Sequence, residues 1–168
     1  MRTTCTRTLE FDAAHRVLGH GGKCQHLHGH RYKAEITVRA ANLNDLGMVI
    51  DFSAVKTEVG GWIDAHLDHN LILSSQDPVL SLLRGVYGGT GEWGYPYLER
   101  LLRESFTREP YVMPGTDNPT AENLAALILN AADELLKGKG IEVVSVKLWE
   151  TPNCWAEAKS DPPGFGIV

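Results

Sequence analysis

A chain of 168 residues, 43% of them hydrophobic, is long enough to bury a real core and is most simply read as one domain. Its 16 basic residues against 21 acidic ones give a formal net charge of −5, and no basic stripe marks a nucleic-acid surface. The start, Met1-Arg2-Thr3-Thr4-Cys5-Thr6, has no apolar leader, and no later run approaches the roughly 18 apolar residues of a membrane span, so the expectation is a soluble, cytoplasmic protein acting on a small molecule.

Residues 2–13 and 30–41 read as two strands of a hairpin, joined by a long connection that holds most of the histidines. Along the first, Leu9, Phe11, Ala13 and His15 share one parity. Along the second, His28 and His30 begin an alternation continued by Tyr32, Ala34, Ile36 and Val38. Gly19, Gly21 and Gly22 let the chain turn back between them, so three imidazoles can converge on one point. Three neutral nitrogen ligands suit zinc, and three rather than four leave a position open for water or substrate. A closed structural site with Cys24 as fourth ligand is the competing reading. His20 and His26 have no strand to aim them and read as loop residues. Cys5, Cys24 and Cys154 are an odd number in a chain of ordinary size, which argues for free thiols rather than a disulfide framework.

Asn42 to Gly47 is rich in turn formers, and Met48-Val49-Ile50 is expected to return briefly to the sheet. Asp51 has the chemistry of an N-cap. Phe52, Val55, Val59, Trp62, Ile63 and Leu67 then repeat at helical intervals, giving a helix over about 52–66 that Gly60-Gly61 weakens in the middle. Asp68-His69 follows directly, either a solvated loop pair or a carboxylate–imidazole proton relay.

From about 74 to 117 the reading is a partly helical excursion. A short helix capped by Asp77-Pro78 is broken between Gly85 and Pro96, and a second one runs from Tyr97 to about Phe106. Thr120 opens the clearest helix, with Leu124, Leu127, Ile128, Ala131 and Leu135 as its buried stripe and Lys137-Gly138 as its end. Thr120 reads as a cap first and is also a candidate substrate contact. Ile141 to Glu150 forms a strand whose inward parity, Val144, Val146, Leu148, ends on the carboxylate of Glu150. Such a group is costly on an apolar face unless it is paired or reaches water, and it suits a flat ligand with N–H donors. A last strand runs from Cys154 to Ala158. The expected architecture is α+β: an antiparallel four-stranded sheet with two main helices packed on one face and edges open to pairing with other subunits.

With His15, Cys24, His28-Gly29-His30, Asp68-His69 and Trp149-Glu150-Thr151 in place, the chain resembles the 6-pyruvoyltetrahydropterin synthase family over about residues 5–72 and 117–158. The resemblance implies that His15, His28 and His30 hold a catalytic zinc and that Cys24 accepts a proton. It further implies that Asp68 and His69 assist proton transfer and that Glu150 grips the pterin. Three residues between the cysteine and His-Gly-His match the carboxytetrahydropterin branch, a lyase on 7,8-dihydroneopterin triphosphate in queuosine (7-deazaguanine) biosynthesis. The pyruvoyl branch is the alternative within the family, and a non-catalytic zinc-stabilised binding module the alternative outside it. The resemblance also implies the tunnelling fold: subunits close their sheets into a barrel, trimers stack into a homohexamer, and active sites lie between subunits.

Overall fold

The computed structural model describes residues 3–88, 100, 104 and 108–160. Two long strands set its frame. Thr3–His15 (β1) and His28–Ala40 (β2) pair antiparallel along their whole length, with Thr3 opposite Ala40 and His15 opposite His28. The alternation read from the sequence sorts their side chains as expected: Leu9, Phe11 and Ala13 on β1 and Tyr32, Ala34, Ile36 and Val38 on β2 are buried, and the residues between them face out.

Asp51 caps the first helical segment, accepting from the Ser53 amide at 2.8 Å. Phe52–Val55 (α1) passes into a π turn at Lys56–Gly60 and continues as Gly61–His66 (α2). The predicted weak point at Gly60-Gly61 therefore lies at the end of the π turn, where Gly60 is buried over Leu9 of β1. Val55, Val59, Ile63 and Leu67 form the buried face. Phe52, assigned to that face by periodicity, is instead 48% exposed at the start of the helix. Ala121–Leu136 (α4) follows its Thr120 cap, which accepts from the Asn123 amide at 3.3 Å. Its buried stripe is Leu124, Ala125, Ile128, Leu129, Ala132 and Leu136. The predicted Leu127, Ala131 and Leu135 flank it, half-buried.

The sheet has six strands among the described residues, and it is mixed rather than a four-stranded antiparallel one. Asn70–Leu73 (β3) pairs parallel to β1 through Ala13 to His15, and Tyr111–Val112 (β4) pairs parallel to β3. Ile141–Thr151 (β5) and Cys154–Lys159 (β6) complete the order β4-β3-β1-β2-β5-β6. The two added strands are four and two residues long, too short to carry a period. The crossover through α1 and α2 is what allows β3 to run parallel to β1. Met48-Val49-Ile50 does not re-enter the sheet; Val49 and Ile50 pack against the core from a loop. Among the described residues no helix is long and apolar enough to cross a membrane.

The excursion begins on Pro78–Gly88 (α3), which runs through Gly85 where a break was predicted. The helix predicted over Tyr97 to Phe106 falls for the most part outside the described residues. Leu73, Leu80 and Leu83 form a small second core under α3. Asp77 caps α3 by accepting from the Val79 amide at 2.9 Å, and it also takes both Arg16 donors at 2.6 Å. Arg16 directly follows His15, so this pair fastens the excursion to the end of β1. Burial pushes the Asp77 carboxyl up, but the Arg16 hydrogen bonds, the Val79 amide and the Arg16 charge outweigh it and hold the group below its ordinary range. Asp77 is only 3% exposed. Replacing it by Asn should lower stability by about 3 kcal/mol or more in urea unfolding at pH 7, because one partner of a buried pair is left alone. A folded-state pKa below the unfolded one stabilises above the unfolded value and ceases to as pH falls through the folded value. The wild-type and variant stabilities should therefore converge in acid.

Candidate metal centre and active site

The register of β1 and β2 brings His15, His28 and His30 to the helix-covered face at one end of the hairpin. Their ring centroids stand 4.6, 5.2 and 4.9 Å apart, and one ligand atom from each lies within 4.8 Å of the others. Gly29 explains why the strands can close here. It faces the opposite side of the sheet, and a Cβ on it would stand 3.0 Å from the Ala13 carbonyl oxygen, forcing the strands apart between the two ligands.

The outward ring nitrogens are held by backbone. His15 Nδ1 donates to the Pro119 carbonyl at 2.7 Å and His28 Nδ1 donates to the His26 carbonyl at 2.7 Å. A carbonyl only accepts, so each Nδ1 carries a proton, and in the neutral ring Nε2 is then the lone pair that a metal requires. His15 is 1% exposed. Its Nε2 and that of His30 are buried without a hydrogen-bond partner. Burial lowers the pKa of both rings, and the charge of His28 lowers them further, against the raising influence of Glu150 on both and of the Pro119 hydrogen bond on His15. Two rings whose pKa burial lowers, two whose Nδ1 is held by backbone, and Nε2 atoms buried without a partner suit a three-nitrogen metal site, so the residues present fit a cation such as zinc.

Glu150 ends the inward face of β5, as the sequence suggested, and its side chain is partly exposed at 25%. One carboxylate oxygen lies 3.4 Å from His15 Nε2 and 3.8 Å from His30 Nε2. Cys24 sits on the turn Lys23–Gln25, which is pinned by the Val17 amide donating to its carbonyl at 2.8 Å. Its thiol stands outside the converging set of potential metal ligands. It is nevertheless close enough to Tyr32 to act on it: the phenol is pushed far above its ordinary range by burial first, then by the charges of Glu150 and Cys24. The Tyr32 hydroxyl is itself buried with no partner, a condition that costs about 1–3 kcal/mol.

Asp68 and His69 form a pair at 2.7 Å beside β1, where the Asp12 amide donates to Asp68 at 2.9 Å. His69 takes a left-handed φ of 52° and is largely exposed. The Asp68 hydrogen bond and charge raise its pKa. Arg108, arriving from the far side of the excursion, braces the loop by donating to the carbonyls of Asp68 at 2.8 Å and of Ala65. His69 lines an open cleft of about 580 Å³ with Asp12, Ala14, Arg31 and Arg108, and His30 of the triad lines it too. Asp12, Ala14 and Arg31 alternate with the buried residues of β1 and β2, so the cleft lies over the end of the hairpin and reaches one of the three histidines. Within one chain, His15, His28, His30 and Glu150 are thus gathered, with Cys24 near Tyr32, whereas Asp68 and His69 stand beside β1, His69 on the cleft that His30 also lines. Thr120 lies next to the Pro119 carbonyl that holds His15, with its own hydroxyl engaged in the cap. His20 and His26 stay in the loop, His20 accepting from the Gly22 amide at 2.9 Å.

Sequence reasoning missed Asn118 and Pro119. The Asn118 amide group spans Leu18, accepting from its N–H at 2.8 Å and donating to its carbonyl at 3.0 Å, which ties the histidine loop to the start of α4. The Asn-Pro-Thr run signals a helix start. A backbone carbonyl that orients a ligand leaves no mark of its own in a sequence.

The family model for 6-pyruvoyl tetrahydropterin synthase matches residues 4–161. The chain belongs to that family. The 6-carboxy-5,6,7,8-tetrahydropterin synthase of Rickettsia bellii is 42% identical over 154 residues, covering 91% of this chain and 97% of its own. The enzyme of the same name from Aquifex aeolicus is 31% identical over 180 residues, covering 96% and 100%. Among solved structures, an uncharacterized protein from Wolinella succinogenes matches with a TM-score of 0.76 at 24% identity, covering 96% of this chain and 99% of its own. The 6-pyruvoyl tetrahydropterin synthase of Caenorhabditis elegans matches with a TM-score of 0.63 at 20% identity, covering 96% and 97%.

Replacing His28 by Ala should reduce bound zinc to well below one per chain in a metal analysis of purified protein. His20→Ala and His26→Ala should retain it. Full zinc in the His28 variant would remove that ring from the ligand set.

Proposed function

We propose that the chain is a zinc-dependent 6-carboxy-5,6,7,8-tetrahydropterin synthase. It converts 7,8-dihydroneopterin triphosphate to 6-carboxytetrahydropterin, acetaldehyde and triphosphate in queuosine (7-deazaguanine) biosynthesis, as a single cytoplasmic domain. The observation that carries this reading is the convergence of three imidazoles, two with buried and unpartnered Nε2 atoms, beside an inward carboxylate on a family fold. The names of the relatives that match along nearly their whole length support the branch.

In this reading His15, His28 and His30 hold the ion, with the Nδ1 protons of His15 and His28 spent on backbone so that those two rings do not turn. A zinc ion bound there would supply Lewis-acid polarisation of the substrate's side-chain hydroxyls. Glu150 accepts the N–H edge of the pterin and sets the depth at which the ring rests. Cys24, near the histidines but not among them, accepts a proton from the side chain as a thiolate, without a covalent bond. His69, oriented by Asp68, carries protons to and from the reacting ring. Because His69 is largely exposed beside Asp12 and not among the buried histidines, the pair serves the site of a neighbouring subunit, and the active unit is the homo-oligomeric barrel, a dimer of trimers. Thr120 contributes through the position of Pro119 and is a substrate contact only at its margin.

Incubation of purified, zinc-loaded protein with 7,8-dihydroneopterin triphosphate tests the reading. Acetaldehyde, 6-carboxytetrahydropterin and triphosphate should appear in equal amounts, and Cys24→Ala should keep its zinc while turnover falls by roughly 10²-fold or more. Accumulation of 6-pyruvoyltetrahydropterin without aldehyde would overturn the branch. Loss of zinc from the Cys24 variant would return the site to a closed, structural one.

A further inference from the structure

The Tyr32 hydroxyl has no use in the arrangement described so far. The side chain is 0% exposed, its oxygen bonds to nothing, and its ring meets those of His15 and His30 edge-on at 5.9 and 5.7 Å. A phenylalanine would pack the same way, stacked on Phe11 at 5.1 Å, without stranding a hydroxyl. A group so far from solvent is out of reach of a diffusing substrate, so its partner has to come from the protein.

Glu150 is the side chain placed to serve. Lys33 pairs with Trp149 and Ala34 with Leu148, so one step further along β5 the inward Glu150 comes beside the inward Tyr32. Its carboxylate now lies against the Nε2 atoms of His15 and His30, the space a cation on those nitrogens would claim. An anionic acceptor displaced from there needs a donor, and a phenol gives a short, charge-assisted bond.

We propose that the Tyr32 hydroxyl is the docking point of the Glu150 carboxylate when the histidine nitrogens are engaged, which makes Tyr32 a positioning residue for the carboxylate that receives the pterin. The proposal rests on the reading of the histidines as a metal centre. It gives Glu150 two positions: against the histidines when they are free, and on Tyr32 when they are occupied. Occupation of the histidines then sets the pterin acceptor in place, and the two binding events are thermodynamically coupled.

A double-mutant cycle in zinc affinity tests it, with free Zn²⁺ titrated against a chelator into wild type, Tyr32→Phe, Glu150→Leu and the double variant. The hydroxyl bonds only in the zinc-bound state, so Tyr32→Phe should weaken zinc by about tenfold or more in the presence of Glu150. In the Glu150→Leu background the same substitution should change zinc affinity by less than about twofold. The metal-free Tyr32→Phe protein should melt at or above the wild-type temperature, since an unpaired buried hydroxyl has gone. Unchanged affinity, equal weakening in both backgrounds, or a metal-free variant that melts lower or fails to fold would each overturn the proposal. Wild-type protein that takes up no zinc would sink the metal reading and the proposal with it, and that result appears before any substitution is made.

Discussion

The pairing of β1 with β2 is the constraint on which the rest of this molecule depends. A strand has a period of two, so a slip of one residue in either partner would carry its histidines to the other face of the sheet. With His15 opposite His28 and Ala13 opposite His30, all three rings share the covered face at the end of the hairpin. The same register puts Phe11 against Tyr32 below them and leaves Asp12, Ala14 and Arg31 on the opposite face. One pairing pattern therefore sets both the three-histidine cluster and the outward-facing residues beside which Asp68 and His69 stand.

Around that frame, elements distant in sequence hold the site still. Pro119, from the segment before α4, fixes the tautomer of His15. Asn118 beside it holds the histidine loop through Leu18, and Asp77 grips Arg16 one residue past the first ligand. Each contact joins residues 61 or more positions apart, so the ligands are oriented by the assembled fold rather than by their own hairpin. This is the arrangement that pre-organisation needs: two of the three histidines, His15 and His28, have their Nδ1 hydrogen bonds made before an ion arrives.

Much of this was legible in the sequence because alternation is a local signal. The parity of Leu9, Phe11, Ala13 and His15, and of His28, His30 and Tyr32, predicts the shared face directly, and the caps at Asp51, Asp77 and Thr120 are where their chemistry placed them. The errors have physical reasons. β3 and β4 are too short for a period, and their parallel pairing depends on a crossover that sequence does not display, so a six-stranded mixed sheet was read as a four-stranded antiparallel one. The shift from Leu127 and Leu135 to Leu129 and Leu136 in α4 is a small rotation of the buried stripe, set by which way the helix rolls on β5. The π turn before Gly61 and the carbonyl of Pro119 are backbone events with no side-chain signature. That Asp68 and His69 sit beside Asp12 and not among the histidines is a tertiary fact.

The central claim is an open site: three imidazoles on the ion, one position free for substrate, and the cysteine near but not bound. X-ray absorption at the zinc edge of the loaded, substrate-free protein measures this directly. The account predicts three imidazole nitrogens and one light oxygen ligand, all at about 2.0–2.1 Å, and no sulfur in the shell. A zinc–sulfur distance of about 2.3 Å would place Cys24 on the metal, close the fourth position, and contradict it.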